Sequence, residues 1–264
     1  TKQAIDETPD NPYESPSSNR NTTESGESES LRSNATLAFV LPLIASLLIT
    51  NFYPKFAASY EGDGWGNETA EAAVSVTSET WLYLGMVAVQ VVLIFGLIGY
   101  FWRVYLRHFP FKVSWLSVVV GVIGVVLWIL LTSVGLEDQL LDSLGFDMSR
   151  ASFNPFVIKN SAALVGFFAV RFTLLTLANP IAEELFIRGW LVRWVHNPQF
   201  ENVTFKELSM LALFAASIYG VMTHPTEAIA AFVWFGLVTL LMRYTGSIWE
   251  CIFAHAVTNF LLVV

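Results

Sequence analysis

Glu183, Glu184, Arg188, His224, His255 and Asn259 have the types and spacing to do chemistry. Pro180 cannot continue a preceding helix without a kink but suits the first turn of a new one. A helix opening there carries Glu183 and Glu184 in its first turn, where the dipole favours anions. Glu184 and Arg188 stand four apart, share a face and form an ion pair. Glu183 points roughly 100° away from its neighbour. The segment therefore supplies one locked carboxylate and one available for another task. Further on, His255 and Asn259 also share a helix face, and His224 stands at the end of an apolar run. Intramembrane carboxylates and imidazoles serve acid–base catalysis and proton relays alike. Each feature has a structural account too: a surface ion pair for the Glu–Arg spacing, helix–helix hydrogen bonding for a lone membrane histidine. Two histidines, an amide and a free carboxylate in a chain this poor in polar groups favour the chemical account.

The elements that must position these groups are membrane helices. The 264 residues are 54% hydrophobic and only 14% charged, against about 25% charged for a soluble domain. Residues 1–34 hold seven acids and three bases, which leaves 15 acids and 11 bases for the remaining 230 residues. That excludes a soluble globular enzyme, and it excludes a nucleic-acid partner, which would need a basic face. The single Cys251 excludes a disulfide within the chain and any multi-cysteine metal site. The chain reads as an all-α, polytopic membrane helix bundle behind a disordered, acidic, polar tail over 1–34. Residues 35–159 form three spans with their loops, and residues 160–264 form the core that carries the chemistry.

Apolar runs at Ala35–Tyr53, Trp81–Phe101, Trp115–Leu136 and Ser161–Asn179 are long enough to cross a bilayer. Four shorter runs follow: Ala182–Val195, Leu208–Thr223, Glu227–Met242 and Ser247–Val264. Arg103, Arg107 and Lys112 lie between the second and third runs with no acid among them, so the positive-inside rule puts that loop and the N-terminus in the cytoplasm. Eight spans are expected, with seven as the alternative. Eight brings Glu183 and His224 to one membrane depth if Pro180 separates two helices, at the cost of a short fifth helix.

The order and spacing of Glu183-Glu184-x-x-x-Arg188, a later His224 after Tyr219-Gly220, and His255-x-x-x-Asn259 resemble the three motifs of the CPBP intramembrane proteases. This is the CAAX-protease and bacteriocin-processing, or Abi, family, and the likeness covers about residues 160–264. The flanking Tyr53-Pro54, Arg171 and Phe205-x-Glu207-Leu208 resemble its exosortase-associated branch of CAAX prenyl protease-related proteins. One departure stands out. The family's second motif has an aromatic residue four positions before the histidine, where this chain has Gly220, with Tyr219 five before His224.

The resemblance implies an intramembrane endopeptidase of the bacterial plasma membrane, acting on a membrane-anchored protein or peptide beside the lipid bilayer. Exosortase-type sorting machinery is the partner the branch implies. Catalysis would fall to Glu183 as base, His224 to orient water or protonate the leaving amine, and His255 with Asn259 to stabilise the oxyanion. Glu184 and Arg188 would form the structural ion pair. A metal-assisted version would use Glu183, His224 and His255 as ligands to a divalent ion such as zinc, with an open fourth position. The competing class is a non-enzymatic membrane protein, either a proton- or solute-coupled transporter or a scaffold in a sorting complex. Arg171, mid-run, is a candidate contact for an anionic group of substrate or lipid, against a structural partner. Glu250 is expected to pair with Arg243 at the surface, and His108 and His196 to be solvated in loops.

Overall fold

The computed structural model describes residues 31–54, 78–135, 137, 143, 144 and 155–263. The expected disordered tail, apart from residues 31–34, and most of the acidic loop after the first run lie outside the described residues. The described helices are α1 (Ala35–Asn51), α2 (Ser78–Tyr100), α3 (Trp102–His108) and α4 (Trp115–Thr132). A helix of 36 residues, Ser161–His196, follows. It comprises α5 (Ser161–Thr173), α6 (Asn179–Glu184) and α7 (Val192–His196), joined by π-helical stretches at Leu174–Ala178 and Leu185–Leu191. The last three are α8 (Met210–Thr223), α9 (Ala228–Thr245) and α10 (Ile248–Val263). No strand occurs among the described residues. Four helices are long and apolar enough to cross a membrane, and three shorter ones are equally apolar, so the protein is an all-α membrane helix bundle.

The break anticipated at Pro180 does not occur. Ser161–Asn179 and Ala182–Val195 are one helix, so seven apolar helices rather than eight are present among the described residues. The reason is local. Proline removes a backbone donor and crowds the carbonyl four residues back. Here the turn before it is already widened: the Asn179 N–H bonds to the Leu174 carbonyl, five residues back. A π-turn absorbs the proline without ending the helix.

At 1.5 Å per residue the 36-residue helix is about 54 Å long, well beyond a bilayer core of about 30 Å. It carries Arg193 and His196 to the end where Lys112 donates to the Thr245 carbonyl and Arg243 to the Leu208 carbonyl. The basic residues of the loops thus gather at one end of the bundle. Glu183 lies thirteen residues before His196 and His224 fourteen beyond Met210, so each stands about 20 Å from that end. Seven helices therefore bring the two level, which had been the reason to expect eight.

Close packing sets the rest. A Cβ on Gly121 would stand 2.8 Å from the Ala254 carbonyl oxygen, and one on Gly124 2.6 Å from Trp234 Nε1. These two glycines let α4 lie directly on α10 and α9, as small residues do between membrane helices. Thr258 seals the contact, donating within reach of the Gly121 carbonyl at 3.0 Å and accepting from Trp234 Nε1 at 3.3 Å. At the charged end, buried Phe39 of α1 meets the rings of Tyr105, Phe109 and Phe200. Tyr105 donates to the Ala38 carbonyl at 2.5 Å. These contacts clamp α1 and α3 around the long helix.

Candidate active site

The two adjacent carboxylates differ as their spacing requires. Glu184 is fully buried and its Oε1 accepts from Arg188 Nη1 at 2.8 Å. Arg188 is fully buried as well. Its Nη2 donates to the Phe235 carbonyl at 2.8 Å and lies 3.3 Å from Thr239 Oγ1. Its guanidinium also stacks 5.3 Å from the Phe235 ring centroid. The pair therefore ties the long helix to α9. Glu183, whose side chain keeps 21% of its surface exposed, takes no part in it.

His255 of α10 enters between the two acids. Its Nδ1 is 3.0 Å from Glu184 Oε1, and its Nε2 is 3.9 Å from Glu183 Oε2. A carboxylate only accepts, so the short contact assigns the proton to Nδ1 and turns Nε2 toward Glu183. Glu184 thus has two tasks, neutralising Arg188 and orienting His255, where sequence spacing revealed only the first. Trp234 packs edge-on against the imidazole at 4.5 Å between ring centroids and holds its plane.

Asn259, one turn beyond His255, donates from Nδ2 to the Leu175 carbonyl at 2.9 Å. That carbonyl would be served by the N–H of residue 179 in an α-helix or residue 180 in a π-helix. Asn179 is bound to Leu174, and residue 180 is proline. Asn259 supplies the missing donor, since a buried carbonyl left unpaired is costly. One hydrogen of its amide is engaged in this way.

His224 caps the end of α8, its N–H bonded to the Gly220 carbonyl at 2.9 Å. Its ring lies 5.5 Å from Trp128 and 5.9 Å from Phe235. His224 and His255 therefore meet through the Phe235 ring, which is 6.4 Å from His255. Among the described residues no three of His, Cys, Asp and Glu come together closely enough to hold a metal ion. Glu183, His224 and His255 do not close into the three-ligand set that the metal-assisted version requires.

Phe235 is the neighbour of these candidate groups that the sequence motifs missed. It touches Arg188, Tyr219, His224 and His255. It also explains Gly220: a Cβ there would stand 2.4 Å from Phe235 Cδ2. Gly220 makes room for the Phe235 ring of α9, against which Tyr219 of α8 also packs. The one available signal was the glycine itself, four residues before His224. Gly220→Ala is therefore expected to lower the melting temperature, because overpacking costs about 1–3 kcal/mol and exceeds the helix-propensity gain. Gly85→Ala, with nothing within 4 Å of its Cβ, is expected to leave melting unchanged or raise it. Equal melting of the two variants would show that the ring has room to move.

The remaining candidates fall elsewhere. Arg171 donates to the Tyr83 hydroxyl at 2.5 Å, which gives it a partner inside the bundle. Tyr83 packs edge-on with Tyr53, Tyr53 donates to Gln90, and Gln90 donates to Ser46 Oγ at 2.6 Å. Ser46 reaches Asn179 Oδ1 at 3.3 Å, so α1 and α2 are tied to the proline turn by polar contacts. Glu250 is not a surface partner of Arg243. It is fully buried, and neither carboxylate oxygen has a hydrogen-bond partner among the described residues. Arg243 binds the Leu208 carbonyl instead. The loop histidines are engaged too: His196 Nδ1 accepts from the Ser209 N–H at 3.0 Å, and His108 Nε2 lies 3.8 Å from Glu201.

Residues 165–261, which contain all of these groups except Ser46, Tyr53, Tyr83, Gly85, Gln90, His108 and Trp128, match the family described as Rce1-like, type II CAAX prenyl endopeptidase. The match does not distinguish the exosortase-associated branch. No curated protein and no solved structure matches the chain.

Proposed function

We propose, from the premise that residues 165–261 are a CAAX-protease-type segment, that this chain is an intramembrane endopeptidase. It would hydrolyse a peptide bond of a membrane-anchored protein or peptide at the bilayer. The observation that carries this reading is His255 bracketed by two carboxylates, one at 3.0 Å and the other at 3.9 Å. The shorter contact orients the ring. The longer one is too wide for a hydrogen bond and suits a shared solvent molecule.

Water held by Glu183 Oε2 and His255 Nε2 has its lone pair free for the scissile carbonyl carbon. As its oxygen attacks, one proton passes to Glu183. The tetrahedral oxyanion meets the second amide hydrogen of Asn259 and the imidazole of His224, which closes the site from the α8 side. When the C–N bond breaks, Glu183 returns the proton to the departing nitrogen, and the water's other proton stays on the new carbonyl group, leaving a carboxylic acid and an amine. Relative to the roles implied by the sequence motifs, His255 moves from the oxyanion to the water. Its lone pair at Nε2 can only accept while Glu184 holds the proton on Nδ1. No step is routed through a metal, since the candidate ligands do not assemble. The end bearing Arg107, Lys112 and Arg243 would face the cytoplasm, where short basic loops reside.

Purified protein in detergent is expected to cleave a prenylated CAAX peptide, and to do so at the same rate with chelator present. Mass spectrometry of the products reports the cut. An intact peptide after prolonged incubation would defeat the peptidase, and loss of cleavage on chelation would defeat the metal-free route.

A further inference from the structure

We infer that the chain binds the phosphate-bearing headgroup of an anionic phospholipid in the cavity beside Arg107 and Arg193, with an acyl chain in the groove between α4 and α9. The cavity measures about 390 Å³ and lies between α3, the end of the long helix, the loop after it and the α9–α10 turn. Arg193 is held in place by neutral groups. It donates to the carbonyls of Gly189, Glu201 and Val203 at 2.9–3.1 Å and lies over the Phe109, Phe200 and Phe205 rings. Its charge thus has no carboxylate in ion-pair contact among the described residues.

Arg107 is exposed and has no hydrogen bond or ion pair among the described residues. The one acid on the wall, Glu201, faces His108. Burial, then Arg193, with Arg107 adding to them, hold the His108 imidazole below its usual range despite Glu201. Arg107 and Arg193 both line the cavity, Arg107 exposed and Arg193 buried in its wall, against a single, half-exposed carboxylate. Guanidinium forks suit phosphate oxygens in a paired geometry.

The setting distinguishes a lipid from a free ion. Trp249 donates to the Phe109 carbonyl at 3.0 Å, and its ring meets Trp102 and the exposed Phe111. Such aromatic girdles mark headgroup depth. Within a few residues of the cavity begins an apolar groove of about 580 Å³, running from Trp115 and Tyr244 past Leu241 and Leu237 to Val120. A charged cavity opening beside an apolar groove matches a lipid's two ends, and basic pockets between membrane helices take such headgroups.

The test uses the full chain in detergent, titrated with phosphatidylglycerol, with phosphatidylcholine of the same chain length, and with inorganic phosphate. Phosphatidylglycerol alone is expected to raise the melting temperature by several degrees, because a ligand that binds only the folded state stabilises it. Arg107→Gln is expected to move the titration midpoint to about tenfold higher lipid, and Arg107→Lys to restore part of that. Arg107 is exposed and remote from Glu183, so the variant folds and keeps its peptidase rate in detergent. Equal stabilisation by phosphatidylcholine would overturn the headgroup site, and so would an unmoved midpoint in Arg107→Gln. Saturation by inorganic phosphate would assign the cavity to the free ion instead.

Discussion

Glu183→Gln is expected to abolish cleavage of the prenylated peptide, with the rate falling by about 10²–10⁴-fold, while the melting temperature holds. The substitution keeps the side chain's size and swaps one oxygen for a nitrogen, so what it removes is the capacity to take a proton. Stability is spared because Glu183 holds no ion pair with Arg188 and keeps a fifth of its side-chain surface exposed. The neighbouring position offers the contrast. Glu184→Gln disturbs the buried pair and the orientation of His255 together, so both stability and rate should fall. Undiminished cleavage by Glu183→Gln would remove the base from the mechanism and leave the shared-water geometry without a function.

Arg188→Ala is expected to produce the largest loss of stability in the protein, about 3–5 kcal/mol. The guanidinium is fully buried and neutralises Glu184, which is itself sealed from solvent. Its removal strands that carboxylate and takes one donor from the Phe235 carbonyl, which keeps the Thr239 hydroxyl. The loss should appear as a steep fall in melting temperature, and as a low yield of folded protein in membranes. Arg188→Lys should recover only part, because an ammonium cannot serve Glu184 and α9 as a planar fork does. A double change, Glu184→Gln with Arg188→Met, removes both charges and should recover more stability than Arg188→Ala alone. Melting of Arg188→Ala at the wild-type temperature would contradict the pairing.

Several features were legible because they depend on spacing along a single helix. Glu184 and Arg188 stand four residues apart, and the ion pair follows wherever that helix runs. The free carboxylate of Glu183 follows from the same rotation. Glu250 shows the limit of such reasoning. Its nearness to Arg243 in sequence suggested a pair, yet the α9–α10 turn sends Arg243 to the loop carbonyl of Leu208 and leaves Glu250 inside the bundle. Pro180 misled for a related reason. A proline's effect depends on the register of the turn before it, and a π-turn there is invisible in composition.

The amino-acid sequence alone determined that this protein is a membrane bundle of helices, because so many long apolar runs with so few charges suit the bilayer, where a helix satisfies its own backbone. It also singled out Glu183, Glu184, Arg188, His255 and Asn259 as polar side chains of that bundle, though it set the buried Glu250 at the surface. The tertiary structure decided how those side chains are paired. Joining the two central runs into one rod set Glu183 and His224 level, and the glycines of α4 let α10 approach so that His255 entered between two acids. Asn259 was drawn to the carbonyl that Pro180 cannot serve, and Phe235 filled the space above Gly220. Each of these contacts joins residues distant in sequence. Their partners follow from helix register and close approach in three dimensions, which no one-dimensional spacing encodes.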